Sequence, residues 1–447
     1  MASTKLTRAY GTGVTGNRNK WTISGWYKLD KGAAASGERT MLGVYSNGSY
    51  FTTLSFYGDG RVNFMDYYNG GLNGRIRTNA LHRDTNGWYH VVGVFDKDNS
   101  TSGDKMRLWV NGVRITGSLA QYETMPSQAS TINSDDQTLE IGTLNNTSHF
   151  GGIMSHLHFC DGYAYDASYF GSTDSTTGEW KINTSPSVSY GTQGWFWLKD
   201  TNATTDSSPN SNTFTVSTGT LTKTEDNPSN VFATWNFLSS PNNGSIGDVT
   251  GSNGNTTTST LSSGYRSYPS TLGYTTGKFY WEIKRNNTTN DCHLGITNED
   301  LTPANQATWI GNTANGWMYG CDGGVTYNGG SSTNSGYSTS TTGDIIMFAH
   351  DATNGKLYFG KNGSWQGSSN PETEASPAFT GLNTSKFWFP AFSGGSSNSA
   401  NFGNGYFGTT AVATNSGNGY AGAEGSSIFN YQPPTGYTAL STKGLNT

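Results

Sequence analysis

Met106-Arg107-Leu108-Trp109-Val110-Asn111-Gly112-Val113-Arg114-Ile115 sets two short runs of apolar and β-branched residues on either side of Asn-Gly. A two-residue type I′ turn needs positive φ at both central positions, which Asn and Gly tolerate best, so the stretch reads as a β-hairpin. Outward from it the same grammar repeats. In Trp21-Thr22-Ile23-Ser24-Gly25-Trp26-Tyr27-Lys28-Leu29, a period of two puts Trp21, Ile23, Tyr27 and Leu29 on one face of a strand. Lys356-Leu357-Tyr358-Phe359, the turn Gly360-Lys361-Asn362-Gly363 and Ser364-Trp365 form a second hairpin of this kind. Helical periodicity is almost absent. The fold class is all-β, two tandem antiparallel β-sandwiches.

Composition agrees. The chain has 447 residues, with 13 Trp, 25 Tyr and 21 Phe to build cores and 60 Gly to build turns. Lys and Arg number 26 against 31 Asp and Glu, a net charge of −5, so no basic face is expected and nucleic acid is excluded as a partner. No apolar run approaches the about 18 residues of a membrane span, so membrane insertion is not expected. The three cysteines, Cys160, Cys292 and Cys321, make no disulfide framework.

The expected organisation is one sandwich over 1–200, a polar linker or surface strap over 201–228, a second sandwich over 229–410, and a Gly-rich loop with a docking tail over 411–447. Tyr431-Gln432-Pro433-Pro434-Thr435-Gly436-Tyr437 reads as an extended tail laid on a body.

Several motifs tempt and fail. Gly11-Thr12-Gly13-Val14-Thr15-Gly16 matches G-x-G-x-x-G, but a dinucleotide site needs a strand before it and a helix after it, and this match runs into a strand. His156, His158 and Cys160 alternate on one strand, yet Leu157 and Phe159 account for that strand by packing. Asp96, Asp98 and Asp104 are weak candidates for a calcium loop, because Thr101 stands where an EF-hand loop needs glycine. Glu372 and Glu374 are the nearest paired carboxylates, in a loop rather than across a cleft. No enzyme and no cofactor are expected.

The first half resembles the laminin-G or pentraxin group of concanavalin A-like proteins. The resemblance rests on Trp21–Lys28, Gly87-Trp88-Tyr89-His90-Val91-Val92-Gly93-Val94-Phe95-Asp96, Leu108–Val113, Ile141-Gly142 and Phe150-Gly151-Gly152. It implies a two-sheet jelly roll. The second half is similar to SPRY domains through Gly277-Lys278-Phe279-Tyr280-Trp281-Glu282-Ile283, His293–Ile296, Gly343–Asp351, Gly355–Phe359, Phe387–Phe392 and Asn401-Phe402-Gly403. That resemblance implies a bent sandwich that binds protein partners through its loops.

The combination, joined by Asp226–Asn236 and closed by Tyr431–Leu440, resembles structural proteins of marine tailed bacteriophages, cyanophages among them. It implies a virion protein on the particle exterior, a tail fibre or appendage that attaches to a host-surface glycan or protein beside other virion proteins. By analogy with such appendages a homo-oligomer, a trimer, is expected. The alternative is a capsid head decoration without receptor binding. Five aromatics, Trp309, Trp317, Tyr319, Tyr327 and Tyr337, are the expected ligand-binding residues, on the premise that they sit on SPRY-like loops where rings stack on sugars.

Overall fold

The computed structural model describes residues 4–31, 37–198, 204–239, 249–260, 264–289, 291–334, 336–412 and 419–447. The chain divides into two compact units, 1–223 and 224–447.

The first unit is a sandwich of an eight-stranded and a six-stranded sheet. The smaller sheet runs in the order Trp195–Trp197, Gly152–Asp161, Lys20–Leu29, Tyr89–Asp96, Met106–Val110 and Val113–Arg114. Period two holds as expected: Trp21, Ile23, Tyr27 and Leu29 all enter the core between the sheets. The ring of Trp21 stacks on Phe95 at 5.5 Å and meets Phe64 of the larger sheet edge-on at 5.5 Å. The turn at Asn111-Gly112 has φ of 47° and 76°, the double positive φ that its sequence called for.

The stretch 201–228 is not a free linker among its described residues. Phe214 is buried, edge-on to Trp195 at 5.2 Å, and Thr215–Thr218 closes the larger sheet by pairing with Lys5–Ala9. Residues 201–203 of that stretch lie outside the described set. A polar strand escapes a reading based on apolar runs because an edge strand needs only one anchor.

The second unit is again an eight-stranded sheet against a six-stranded one. Lys278–Arg285 and Ile345–Asp351 pair through seven residues in the first. The second runs Tyr268–Pro269, Trp388–Gly394, Cys292–Asn298, Gly316–Gly320, Val325–Asn328 and Ser331–Asn334. The rings of Trp281 and Phe348 stack at 5.1 Å within its core. Asn362-Gly363 makes this unit's type I′ hairpin, with φ of 48° and 86°. Its sequence reading included Gly360 and Lys361 in the turn, but both belong to the strand Lys356–Lys361. The C-terminal segment lies on this unit: Thr438–Ala439 pairs in parallel with Phe279 and Tyr280, and Phe429, Tyr437 and Leu440 are buried. Of the Gly-rich stretch before it, residues 413–418 fall outside the described set.

Candidate functional site

Alternation decides which of the expected aromatics reach a surface. Along Gly316–Gly320 it sends Trp317 and Tyr319 to the core side and Met318 to the outer side. Tyr319 is fully buried, 6.0 Å from Tyr337 and 5.8 Å from Phe359, and its hydroxyl donates to the Ser338 carbonyl. Trp317 packs edge-on against buried Trp388 at 5.0 Å. Tyr337 is buried too. None of the three is an exposed loop aromatic: Trp317 and Tyr319 are strand residues facing the core, and Tyr337 does lie in the loop before Ile345–Asp351 but turns inward and is buried.

Trp309 and Tyr327 do come together, half-buried and edge-on at 5.3 Å. They cover Ile310, Met318 and Ala391, a small apolar cluster on the outer face of the six-stranded sheet. Trp309 lies in the connection between the strands Cys292–Asn298 and Gly316–Gly320, capping the short turn Ile310–Asn312, as the loop reading expected, whereas Tyr327 belongs to the strand Val325–Asn328. His293 lies 5.5 Å from Trp309, and Tyr265 lies 5.5 Å from His293. The four rings form one row, Tyr265–His293–Trp309–Tyr327.

Burial holds the His293 imidazole neutral, its pKa pulled down to about 4 against the opposing pull of Asp291 and Asp322. Its Nδ1 has no hydrogen-bond partner among the described residues. The Tyr265 hydroxyl donates to the Asp291 carboxylate, which pushes its pKa up to about 12. The row is thus an uncharged aromatic platform with an acid at one end. His293 was legible in Cys292-His293-Leu294-Gly295-Ile296, where every second residue enters the core and the imidazole alternates outward.

The first unit has its own outward-facing rows, which sequence reading missed. Tyr45, Phe51 and Tyr67 are half-buried on three adjacent strands; Phe51 stacks on Tyr67 at 4.6 Å and meets Tyr45 at 6.2 Å. Tyr163, Tyr165 and Tyr169 follow the strand Gly152–Asp161 with ring separations of 5.5 and 4.6 Å. The spacing Tyr163-x-Tyr165 was the available signal for the second row.

The remaining candidates resolve into internal roles. His158 stacks on Phe196 at 3.9 Å and bonds Tyr190, while His156 sits in a bulge at φ 48° and bonds Ser155. Among the described residues no group of three His, Cys, Asp or Glu side chains is placed to hold a metal. Asp96 faces Lys20 and Arg107, Asp98 pairs with Lys97, and Asp104 pairs with Arg114, so the three carboxylates each serve different cations. Glu374 joins Lys278 and Lys356, and Glu372 accepts from Thr435. Asp66 and Glu282 are both pushed up to about 7 by burial, but internal donors surround them. An open groove of about 370 Å³ beside Lys361, Trp365 and Gln366 holds a single aromatic ring. Tyr337 lies beneath it: a Cβ on Gly367 would stand 3.2 Å from its hydroxyl. Among the described residues no helix is long and apolar enough to cross a membrane.

Residues 7–164 match the family model of the concanavalin A-like lectin/glucanases superfamily, and residues 278–405 match that of the SPRY domain. Solved structures similar in fold include the SPRY domain of human HERC1, 18% identical, covering 37% of this chain and 96% of that one with a TM-score of 0.29. The native heptameric SAP-like pentraxin from Limulus polyphemus is 16% identical, covering 35% of this chain and 70% of that one with a TM-score of 0.25. No curated protein matches the sequence. The chain carries a concanavalin A-like domain followed by a SPRY domain.

Proposed function

We propose that this is a non-catalytic attachment protein that binds a surface glycan through aromatic platforms. The observation that carries this is the row Tyr265–His293–Trp309–Tyr327, laid on the outer face of a sheet rather than folded into its core. The C–H faces of a sugar ring are apolar patches that π surfaces complement, and a neutral row suits an uncharged sugar better than an acidic one. The carboxylates with raised pKa, Asp66 and Glu282, are saturated by internal donors, which leaves no poised acid–base pair at them among the described residues and favours binding over catalysis.

The finer reading is a bacteriophage tail fibre or appendage, displayed on the virion exterior as a homotrimer. Its support is the resemblance of the two-domain arrangement, with Asp226–Asn236 and Tyr431–Leu440, to phage structural proteins. Head decoration is the second reading, favoured by the way the C-terminal segment folds back onto its own sandwich and offers no stem among the described residues.

The test is adsorption. Purified protein should compete with phage for host cells, and Trp309→Ala with Tyr327→Ala should weaken that competition roughly tenfold or more while leaving circular dichroism unchanged. Competition undiminished in a folded double variant overturns the platform. Immunogold labelling confined to capsids would replace the tail reading with decoration.

A further inference from the structure

Cys292 and Cys321 face each other across two adjacent strands of the SPRY sandwich. His293 pairs with Gly320 in the ladder, which sets the two cysteines opposite one another, and the Cys321 N–H donates to the Cys292 carbonyl at 2.9 Å. Their Sγ atoms are 3.0 Å apart, both fully buried on the core side of the sheet. Directly opposed antiparallel residues have Cα atoms about 4.5–5.5 Å apart, inside the ~4.4–6.8 Å range of disulfides. Only a small closing movement of the sulfurs separates this dithiol from a bond.

We propose that Cys292 and Cys321 form a cross-strand disulfide that locks the strand carrying His293 to its neighbour, making this a redox-modified site in the domain. The surroundings fit such a reaction. The guanidinium of Arg285, fully buried, bonds Asp322 at 2.5 Å, and the Cys292 N–H donates to the same carboxylate at 2.9 Å. That positive charge favours the Cys292 thiolate, while burial opposes it more strongly and shields the pair from casual oxidants. Asp291 and Asp322, the chain neighbours of the two cysteines, are exposed, so each cysteine lies one residue from solvent-facing chain.

With oxidised glutathione as oxidant, the Cys292 thiolate attacks one glutathione sulfur and expels a glutathione thiolate, leaving a mixed disulfide. The Cys321 thiolate then attacks Cys292 Sγ and expels the second. Two electrons pass from the protein sulfurs to glutathione, and the two cysteine protons end on the two released thiols. Cys160 lies in the other unit, buried beside Phe170 with no sulfur partner, and is left out.

The test oxidises the full-length reduced chain with glutathione disulfide, then titrates thiols in denaturant and maps non-reduced peptides by mass spectrometry. The expected result is one remaining thiol, Cys160, a mass lower by two hydrogens and a Cys292–Cys321 linkage. Closing this loop should raise the unfolding midpoint of the second unit by roughly 5–10 °C, reversibly with dithiothreitol. In Cys321→Ser that redox dependence should vanish. The wild-type peptide map decides the question even if the variant folds poorly. Three titratable thiols after oxidation, glutathione adducts that never resolve, or a linkage through Cys160 would each overturn the proposal.

Discussion

The carboxylate of Glu282 accepts the backbone N–H of Tyr431 at 2.7 Å, clamping the C-terminal segment to the strand Lys278–Arg285. The same carboxylate takes Asn430 N–H at 2.9 Å, the Tyr280 hydroxyl at 2.9 Å and Asn401 Nδ2 at 3.2 Å. Four donors converge on one buried acceptor. Replacing it with an amide, Glu282→Gln, turns one end into a donor facing donors. The expected cost is about 2–4 kcal/mol, the range for breaking a buried, charge-assisted network. Hydrogen exchange should show residues 428–441 losing protection before the sandwich does. Unchanged protection there would remove Glu282 as the clamp.

Stability should fall on acidification from about pH 6.5. Burial depresses the imidazoles of His90 and His350 to about 3 and of His293 to about 4, and His158 is also held well below its ordinary value. The unfolded chain protonates these groups near pH 6.5 while the folded one does not, so their contribution is present above that pH and is lost as pH drops towards the folded values. Asp66 and Glu282 act in the opposite sense. Their folded pKa values, raised to about 7, give stability that is present below about 4 and lost as pH rises towards 7. With His82 also lowered by burial, five imidazoles against two carboxyls leave a net loss on acidification between pH 6.5 and 4.5, at up to about 1.4 kcal/mol per pH unit for each uncompensated group. Urea titrations at pH 7 and 5 measure it; a higher midpoint at pH 5 would contradict the balance.

Within the first unit, the Trp180 indole donates to His90 Nδ1 at 3.0 Å, which leaves Nε2–H to donate to Ser24 at 2.9 Å. Trp180→Phe keeps the ring but removes this donor, and should cost about 1–2 kcal/mol with the first unit's unfolding affected and the second's unchanged. Equal shifts in both transitions would argue against a local effect.

Gly295 is required by close backbone approach. A Cβ there would stand 2.0 Å from the Trp317 carbonyl oxygen and 2.8 Å from Met318 Cα, both rigid backbone atoms. Gly295→Ala should force apart the strands that bear His293 and Met318, at about 1–3 kcal/mol or more. Trp309 fluorescence and glycan binding should change together with stability. A variant with native melting and native binding would show that the strands can yield.

Trp309 and Trp317 make a paired contrast. Trp317 is partly buried but packs on the core, so Trp317→Ala opens a space against Trp388 and should lower stability by about 2–3 kcal/mol, less than truncating a fully buried tryptophan. Trp309→Ala removes one ring from the outer row and should impair binding with a much smaller loss of stability. Reversal of these two effects in thermal melts would mean that the faces are assigned wrongly.

The turns, the period-two strands and the order of the two sandwiches were already written in local chemistry. Asn111-Gly112 and Asn362-Gly363 take the positive φ their hairpins need because they stand between two strand-forming runs, whereas Asn73-Gly74 within a strand does not, and Trp21, Ile23, Tyr27 and Leu29 share a face in any extended strand. What period two leaves open is which face meets the core when aromatics occupy both. Trp317 and Tyr327 look alike as residues on neighbouring strands; one is covered by Trp388 and the other lies over Met318, and only the packing of the second sheet makes that choice. The same holds for the row itself: Tyr265, His293, Trp309 and Tyr327 come from four separate segments, and their adjacency follows from strand order and register, long-range relations that no local window carries. Cys292 and Cys321, 29 residues apart, meet for that reason as well. Local propensity is set by neighbouring atoms along the chain, whereas a surface is what remains after two sheets have buried as much apolar area as their shapes allow.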